Sequence, residues 1–258
     1  MGITLLKILL TPLLIAAATV ASRRWGPTVG GWLVGLPLTS GPVSVFLRVE
    51  HSGDFAAAAA HSTLNGVLPV VAFCLVYERS ARKHSWPFAV SCALGVYFVL
   101  VAVFTRVCPP LWASVALVFA GIALGITIIK PVADILPSVK PPCWDIPFRV
   151  AAATVLVVAI TTVSGEIGPR LSGLLSSFPV FICVMSVSSH HLLGPVAIRK
   201  FERGVIMGSY AFAVFFVIVA ATARDWNAVP VYFAAVAGAL GTNYIIYRVL
   251  AFHGRRRF

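Results

Sequence analysis

Charged residues are scarce in this sequence of 258 residues, which contains only eight Asp and Glu residues. Charged side chains make up 11% of the chain, against about 25% in a soluble domain. Hydrophobic residues make up 59%, and the mean hydropathy is +0.96. These values exclude an ordinary soluble domain. They predict an all-α integral membrane protein whose main partner is the lipid bilayer, because each spanning helix needs about 20 mostly apolar residues.

The sequence also lacks the motifs of the common enzyme classes. It contains no nucleotide-binding loop, no HExxH and no GxSxG. The five cysteines show no metal-ligand spacing. His190 and His191 end one predicted span, while His51 and Asp54 follow another, and the topology below places these two sets on opposite faces of the membrane. We therefore expect no enzymatic activity, no metal and no cofactor.

The net charge of +12 would suggest a nucleic-acid partner in a soluble protein. In a membrane protein it records the bias of Lys and Arg toward cytoplasmic loops, so we expect no nucleic acid. With nine crossings, fifteen of the twenty Lys and Arg residues fall on one side and five on the other. This asymmetry predicts a protein of the bacterial inner membrane, with the N-terminus outside and the C-terminus in the cytoplasm.

Nine apolar segments are long enough to be considered as crossings. Their limits are 3–21, 30–47, 55–77, 87–105, 111–129, 148–164, 171–189, 203–222 and 229–251. The longest connection, 130–147, is rich in proline and divides the chain in two.

A shift of 142 residues aligns the two halves of the chain without a gap from Lys7 to Phe73. Shared apolar letters carry little information here, but shared Gly and Pro fix backbone geometry. These matches are Gly26 with Gly168, Pro27 with Pro169, Gly31 with Gly173, Pro37 with Pro179 and Gly66 with Gly208. Each copy has four segments, and the fifth segment links them, so the second copy is inverted. Residues 1–22 resemble a signal peptide, but the repeat predicts that they are retained as a span.

Each copy contains one span interrupted by proline, within LVGLPLTSGPVSVF and LLSSFPVFICVMSVSS. A proline inside a helix frees the carbonyl four residues earlier. Pro37 would free that of Leu33, Pro42 that of Leu38, and Pro179 that of Leu175. Paired, inverted, interrupted spans are typical of secondary transporters with a site near the midplane. Proline and small residues also serve helix packing in membranes, so both interpretations stay open.

The predicted substrate-binding residues lie around these breaks. They are Pro37, Thr39, Ser40, Pro42 and Ser44 in the first copy, with Ser177, Pro179 and Ser186 in the second. His61 and Asn65, four residues apart on the third span, are secondary candidates. His61 has two interpretations: a group that faces the substrate, or a histidine that is hydrogen-bonded across helices.

All eight acidic residues fall in predicted loops or at span edges. This distribution disfavours an antiporter built around a mid-membrane carboxylate. Any coupling would then use His61, Glu202 at the edge of its span, or backbone carbonyls. An anionic, zwitterionic or lipid-like substrate fits such a chain better than a bare metal cation.

Two stretches, VGGWLVGLPLTSGPVSVFLRVEHSGDFAAA and LSGLLSSFPVFICVMSVSSHHLLG, resemble the small four-helix bacterial inner-membrane proteins of the GlpM type. The shared pattern is a small-residue entry such as Gly31 or Gly173, a mid-span Pro37 or Pro179, and an exit bearing His or an acid. The resemblance implies a fused duplication of such a unit. It also implies a multipass inner-membrane protein with ties to envelope polysaccharide production, and it assigns no site residue.

The sequence therefore predicts nine transmembrane helices in two inverted four-helix repeats. The first repeat covers 1–110, a linking helix and Pro-rich loop cover 111–147, and the second repeat covers 148–258. The predicted function is transport of a small or lipid-linked solute by alternating access around the two broken helices. The alternative is a non-transporting scaffold or accessory subunit in envelope polysaccharide or lipid biosynthesis. The oligomeric state, including a homo-oligomer, stays open.

Overall fold

The computed structural model describes residues 13, 16–17, 19–37, 40–132, 145–152, 155 and 177–255, and these residues form helices and short connections without a strand. Short helical stretches occupy 19–25 and 145–152. The longer helices, in chain order, are α1 (Pro27–Val34), α2 (Ser40–Glu50), α3 (Gly53–Asn65), α4 (Val67–Ala81), α5 (Trp86–Arg106), α6 (Leu111–Ile128), α7 (Val180–Thr222) and α8 (Ala228–Arg255). The all-helical prediction is confirmed for this part of the chain.

Five helical segments in the described ranges are long and apolar enough to cross a membrane. They are Gly53–Ala81, which joins α3 and α4, then Trp86–Arg106, Leu111–Ile128, Val180–Thr222 and Ala228–Ile246. The most apolar windows of α5, α6 and α8 are each 22% buried, whereas that of α3 and α4 is 72% buried. Large apolar side chains such as Trp112 and Phe233 are mostly exposed. Apolar helices with such outer surfaces are compatible with insertion into a membrane.

Helix α7 doubles back on itself at Gly194. This glycine has a φ of 77°, a left-handed conformation that favours glycine, and Pro195 follows it. The Ser186 hydroxyl lies 2.6 Å from Glu202 Oε1 although the residues are 16 positions apart. A straight helix would separate them by about 24 Å. The 43-residue helix is therefore a hairpin with a first arm, 180–193, and a second arm, 195–222.

The second arm of α7 forms the centre of the structure and packs against α1, α3, α4 and α6. The backbones of the second arm and of α1 are in direct contact. A Cβ added to Gly31 would overlap with the carbonyl oxygen of Phe201, and one added to Gly204 would overlap with that of Thr28. Small residues at such positions let membrane helices approach closely, because nothing separates the two main chains.

The structure changes part of the predicted segment list. The predicted second segment, 30–47, is divided between α1 and α2. Pro42 is the third residue of α2, where no intrahelical N–H is required; Leu38, whose carbonyl it is predicted to free, lies outside the described residues. The first and sixth predicted segments, 3–21 and 148–164, lie largely outside the described residues. Nine crossings and the domain limits stay predictions.

Candidate functional site

Two helix breaks occur in the described residues where the sequence places its interrupted spans. Helix α1 ends at Val34, and 35–37 are non-helical; the second break, 177–179, immediately precedes α7. The carbonyl of Leu33 accepts a hydrogen bond from the Leu36 N–H at 3.1 Å. The prediction that Pro37 leaves this carbonyl free is therefore wrong. The carbonyls of Leu38 and Leu175 lie outside the described residues.

Each break packs against a glycine on a long helix. Gly35, in the first break, lies against Gly208 on the second arm of α7. Ser177, in the second break, lies against Gly66, where α3 passes into α4. A Cβ on Gly66 would overlap with the Ser177 side chain, and one on Gly208 would overlap with the Trp32 carbonyl oxygen and crowd Gly35, so glycine on the helix permits both close contacts.

The second break carries the most polar surroundings. Ser177 is 7% exposed and hydrogen-bonds to the hydroxyl of Tyr97, which is fully buried. Phe178 meets the Tyr97 ring edge-on, with centroids 5.4 Å apart. Asn65, next to Gly66, is 4% exposed, and its Oδ1 has no hydrogen-bond partner in the part of the chain that the structure describes. A buried acceptor without a partner is uncommon and marks a place where a bound group could donate.

The other predicted site residues form separate pairs. The Ser44 hydroxyl lies 2.9 Å from the Tyr232 hydroxyl. His61 Nε2 lies 2.8 Å from the Ser114 hydroxyl on α6, which favours the interpretation of His61 as a histidine bonded across helices. Ser186 is bonded to Glu202. The structure thus distributes these residues over several contacts along the helices.

The remaining candidates have less defined roles. Ser40 and Pro179 are buried, and Pro37 is half-buried. Thr39 lies outside the described residues, as does the side chain of Pro42. Tyr97, Tyr232 and Ser114 were missed at the sequence level. Both tyrosines occur within apolar helices, where a phenol requires a hydrogen-bond partner, and this signal could have identified them.

The burial of Glu202 differs most from what the sequence indicates. The sequence places it at the edge of a span, but its side chain is fully buried on the second arm of α7. Oε1 accepts a hydrogen bond from the Ser186 hydroxyl, and Oε2 has no hydrogen-bond partner within the described ranges. The fold-back at Gly194 is what brings the carboxyl inside. The burial of Glu202 is therefore a finding that the sequence did not indicate, while its place at the edge of a span stays a prediction.

Two ion-pair clusters lie near the site. Asp145, 2% exposed, accepts from Arg149 Nε at 2.9 Å and from Arg23 at 2.7 Å. Glu78, 3% exposed, pairs with Arg82 at 2.7 Å and with Arg199 at 3.6 Å. These buried acids each have at least one arginine partner, which Glu202 lacks among the described residues.

Comparisons with protein-family models, with curated proteins and with solved structures found no match for this chain. The resemblance to GlpM-type proteins stays a prediction.

The contact between Ser177 and Gly66 can be tested by compensation. We expect Gly66→Ala to lower the free energy of unfolding by about 1–2 kcal/mol, because the new methyl group collides with the Ser177 side chain. Adding Ser177→Gly should recover part of this loss, since it removes the side chain that the new methyl group overlaps, while the hydrogen bond to Tyr97 is lost as well. The measurement is a double-mutant cycle from thermal unfolding in detergent. Losses that simply add would show that the two residues do not contact each other.

Proposed function

We propose that this protein transports a small or lipid-linked solute across the bacterial inner membrane by alternating access around its two helix breaks. The proposal includes nine crossings in two inverted repeats, with the N-terminus outside. It assigns no catalytic step, metal or cofactor. The GlpM-type resemblance enters as a part of this proposal, as the single unit from which the duplication would derive.

Helix limits support the repeat. With the offset of 142 residues, Gly53 at the start of α3 corresponds to Pro195 at the start of the second arm. Trp86 at the start of α5 corresponds to Ala228 at the start of α8. The non-helical residues 35–37 correspond to 177–179. Helix limits that repeat at one spacing are expected of a duplicated unit.

The observation that carries the proposal is the exchange of contacts between the copies. Gly35 lies against Gly208, and Ser177 lies against Gly66. With the offset of 142 residues, Gly35 corresponds to Ser177 and Gly208 corresponds to Gly66. The first contact therefore has the same form as the second, with the two copies exchanged. Two units related by a two-fold axis make reciprocal contacts of this kind. In the proposed architecture each broken span therefore abuts a long helix of the opposite copy, which is where repeat-built transporters hold their substrates.

The chemistry around the second break supports a polar solute. Asn65 Oδ1 is a buried acceptor with no partner among the described residues, and the Ser177 hydroxyl is bonded to Tyr97 beside the ring of Phe178. The counterpart of Asn65 in the second copy is Met207, so the polar site belongs to one copy only. A solute that carries hydroxyl, amide or ammonium donors would satisfy the buried Asn65 oxygen.

The rival hypothesis is a scaffold or accessory subunit in envelope biosynthesis. It is favoured by the Ser44–Tyr232 and His61–Ser114 hydrogen bonds, which already satisfy several candidate polar groups. In that case the breaks serve only packing, and no solute enters.

Cysteine accessibility distinguishes the two hypotheses. Asn65→Cys and Ser177→Cys would be introduced separately after the five native cysteines are replaced. Oriented vesicles would be treated from each side with a membrane-impermeant thiol reagent. We expect both positions to react from both sides, because alternating access opens one site to each face in turn.

Matched controls make either result decisive. Ser209→Cys is buried within α7 and should stay unreactive. Lys83→Cys and Asn227→Cys, in exposed connections, should react from the cytoplasmic and the outer face respectively. If Asn65→Cys and Ser177→Cys stay unreactive while these controls behave as described, the transport proposal fails and the scaffold hypothesis replaces it.

A further inference from the structure

The buried Glu202 carboxyl has no role in the contacts described above. We propose that Glu202 is a proton-binding site, held as a neutral carboxylic acid and connected to the cytoplasmic side through Tyr77 and His190. Coupling of this proton to solute movement rests on the proposed function, whereas proton binding itself does not.

The surroundings of Glu202 lack a compensating charge. The carboxyl is fully buried, and no ion pair to it occurs in the described parts of the chain. Its carboxyl accepts a hydrogen bond from the Ser186 hydroxyl at 2.6 Å, and the neutral Cys74 thiol is a second hydrogen-bonding neighbour. An isolated buried carboxylate is costly, and such a group takes up a proton to remove the charge. Burial without a cation therefore favours the neutral acid.

The arginines nearest along the same helix are engaged elsewhere. Arg199 pairs with Glu78 at 3.6 Å and donates to the carbonyl of Lys130 at 3.1 Å. Arg203 donates to the carbonyls of Ile126 and Ile129 at the end of α6. Neither guanidinium thus forms an ion pair with the Glu202 carboxyl.

The neighbouring elements add no cation that pairs with Glu202 in the described residues. Helices α1 and α6 contain no titratable side chain. The titratable groups on the other elements around Glu202 are Cys74, Tyr77, Glu78 and Arg79 on α4, Cys183, His190 and His191 on the first arm, Lys200 and Tyr210 on the second arm, Asp54 and His61 on α3, and Arg149 beside Met185. Arg149 is paired with Asp145, Asp54 with Arg224, and His61 with Ser114. Arg79 and His191 are exposed, and none of the ion pairs between described residues joins Arg79 or Lys200 to Glu202.

A row of polar atoms leads from Glu202 toward the hairpin turn. Glu202 Oε2, the Tyr77 hydroxyl and His190 Nδ1 are buried and have no hydrogen-bond partner among the described residues. The rings of Tyr77 and His190 meet edge-on, with centroids 6.0 Å apart. His190 is half-exposed and lies one turn before Gly194. Hydroxyl and imidazole groups both donate and accept protons, so this row can pass a proton when water bridges its members.

Labelling with a hydrophobic carbodiimide tests the proposal directly. Such reagents add to protonated carboxylic acids in apolar surroundings, and peptide mapping locates the adduct. The wild-type protein in lipid vesicles would be treated at a series of pH values. We expect the adduct on Glu202, with a yield that rises as the pH is lowered. Glu78, which is equally buried but paired with Arg82, serves as the internal control and should stay unlabelled.

A second measurement requires no reagent. Infrared difference spectra should show the C=O stretch of a protonated carboxylic acid, and Glu202→Gln should remove it while Glu78→Gln should not. An adduct on Glu78 equal to that on Glu202, or an acid band that survives Glu202→Gln, would overturn the proposal. Because mapping uses the wild-type chain, a variant that fails to fold does not affect the test.

The two proposals fail separately. Labelled Glu202 together with unreactive Asn65→Cys and Ser177→Cys would leave a proton-binding membrane protein that transports nothing. Reactive cysteines together with an unlabelled Glu202 would leave a transporter whose driving force lies elsewhere.

Discussion

Asp145→Asn is expected to lower the free energy of unfolding by about 3–5 kcal/mol, the range for breaking a buried ion pair by removing one partner. Asp145 is 2% exposed and Arg149 is 5% exposed, so the substitution leaves a guanidinium buried without its counter-charge. Among the described residues Arg149 then keeps its contact with Met185 Sδ, at 2.9 Å, and a neutral amide in place of the carboxylate. The same carboxylate also accepts from Arg23, so the helical stretch 19–25 loses its attachment to 145–152. Equilibrium unfolding of the detergent-solubilised protein measures the loss.

Asp54→Asn provides the matched control for Asp145→Asn. Asp54 pairs with Arg224, and their side chains are 81% and 64% exposed respectively. We expect no measurable change in the free energy of unfolding, because exposed ion pairs contribute little to stability. The double variant Asp145→Asn/Arg149→Met should recover much of the loss, since it removes the uncompensated charge as well. Equal effects of Asp54→Asn and Asp145→Asn would contradict the role assigned to burial.

Hydropathy predicts the long outer helices well because a long apolar run has few alternatives to a helix. The predicted segments 87–105 and 111–129 correspond to Trp86–Arg106 and Leu111–Ile128. A long apolar run in a membrane must pair its own backbone N–H and C=O groups in hydrogen bonds, and a helix does so along its whole length. Proline in the first turn of α5 and the proline before α6 also mark where these helices begin.

The partners of the site residues could not be predicted in the same way. Ser44 and Tyr232 are 188 residues apart, and His61 and Ser114 are 53 apart. The sequence shows that a hydroxyl is present in an apolar helix, but the choice of partner follows from how the helices pack. Hydropathy therefore identifies the helices without identifying the contacts between them.

Glu202 shows a second limit of sequence-level prediction. Its flanking residues Arg199, Lys200 and Arg203 indicate a loop or a span edge. The turn at Gly194 instead brings the first arm alongside the second, and Ser186 covers the carboxyl. The arginines turn toward Glu78 and the end of α6, which separates them from the acid between them.

The repeated glycines were identified as geometric markers, but which helix each one meets emerges only from the fold. Gly31 lies against the backbone of Phe201 and Val205, so a methyl group there has no flexible side chain to displace. We expect Gly31→Ala to lower the free energy of unfolding by about 3 kcal/mol, at the upper end of the range for overpacking. It should also move α1 away from the second arm of α7 and so disturb both breaks. Thermal unfolding in detergent measures the first effect.

Gly95→Ala is the control for Gly31→Ala, because it makes the same change at an exposed glycine in α5 with open space around it. Alanine favours a helix over glycine by about 1 kcal/mol, so this variant should unfold at the same or a higher temperature. Thiol labelling of Ser177→Cys in the Gly31→Ala variant then measures access of the reagent to the second break, independently of the loss of stability. In the proposed pseudo-symmetric arrangement, a shift of α1 against α7 changes how Gly35 meets Gly208, and labelling from one side should fall while the other persists. If Gly31→Ala behaves like Gly95→Ala, the close approach of α1 to α7 is not part of the folded protein, and the exchange of contacts between the copies loses its basis.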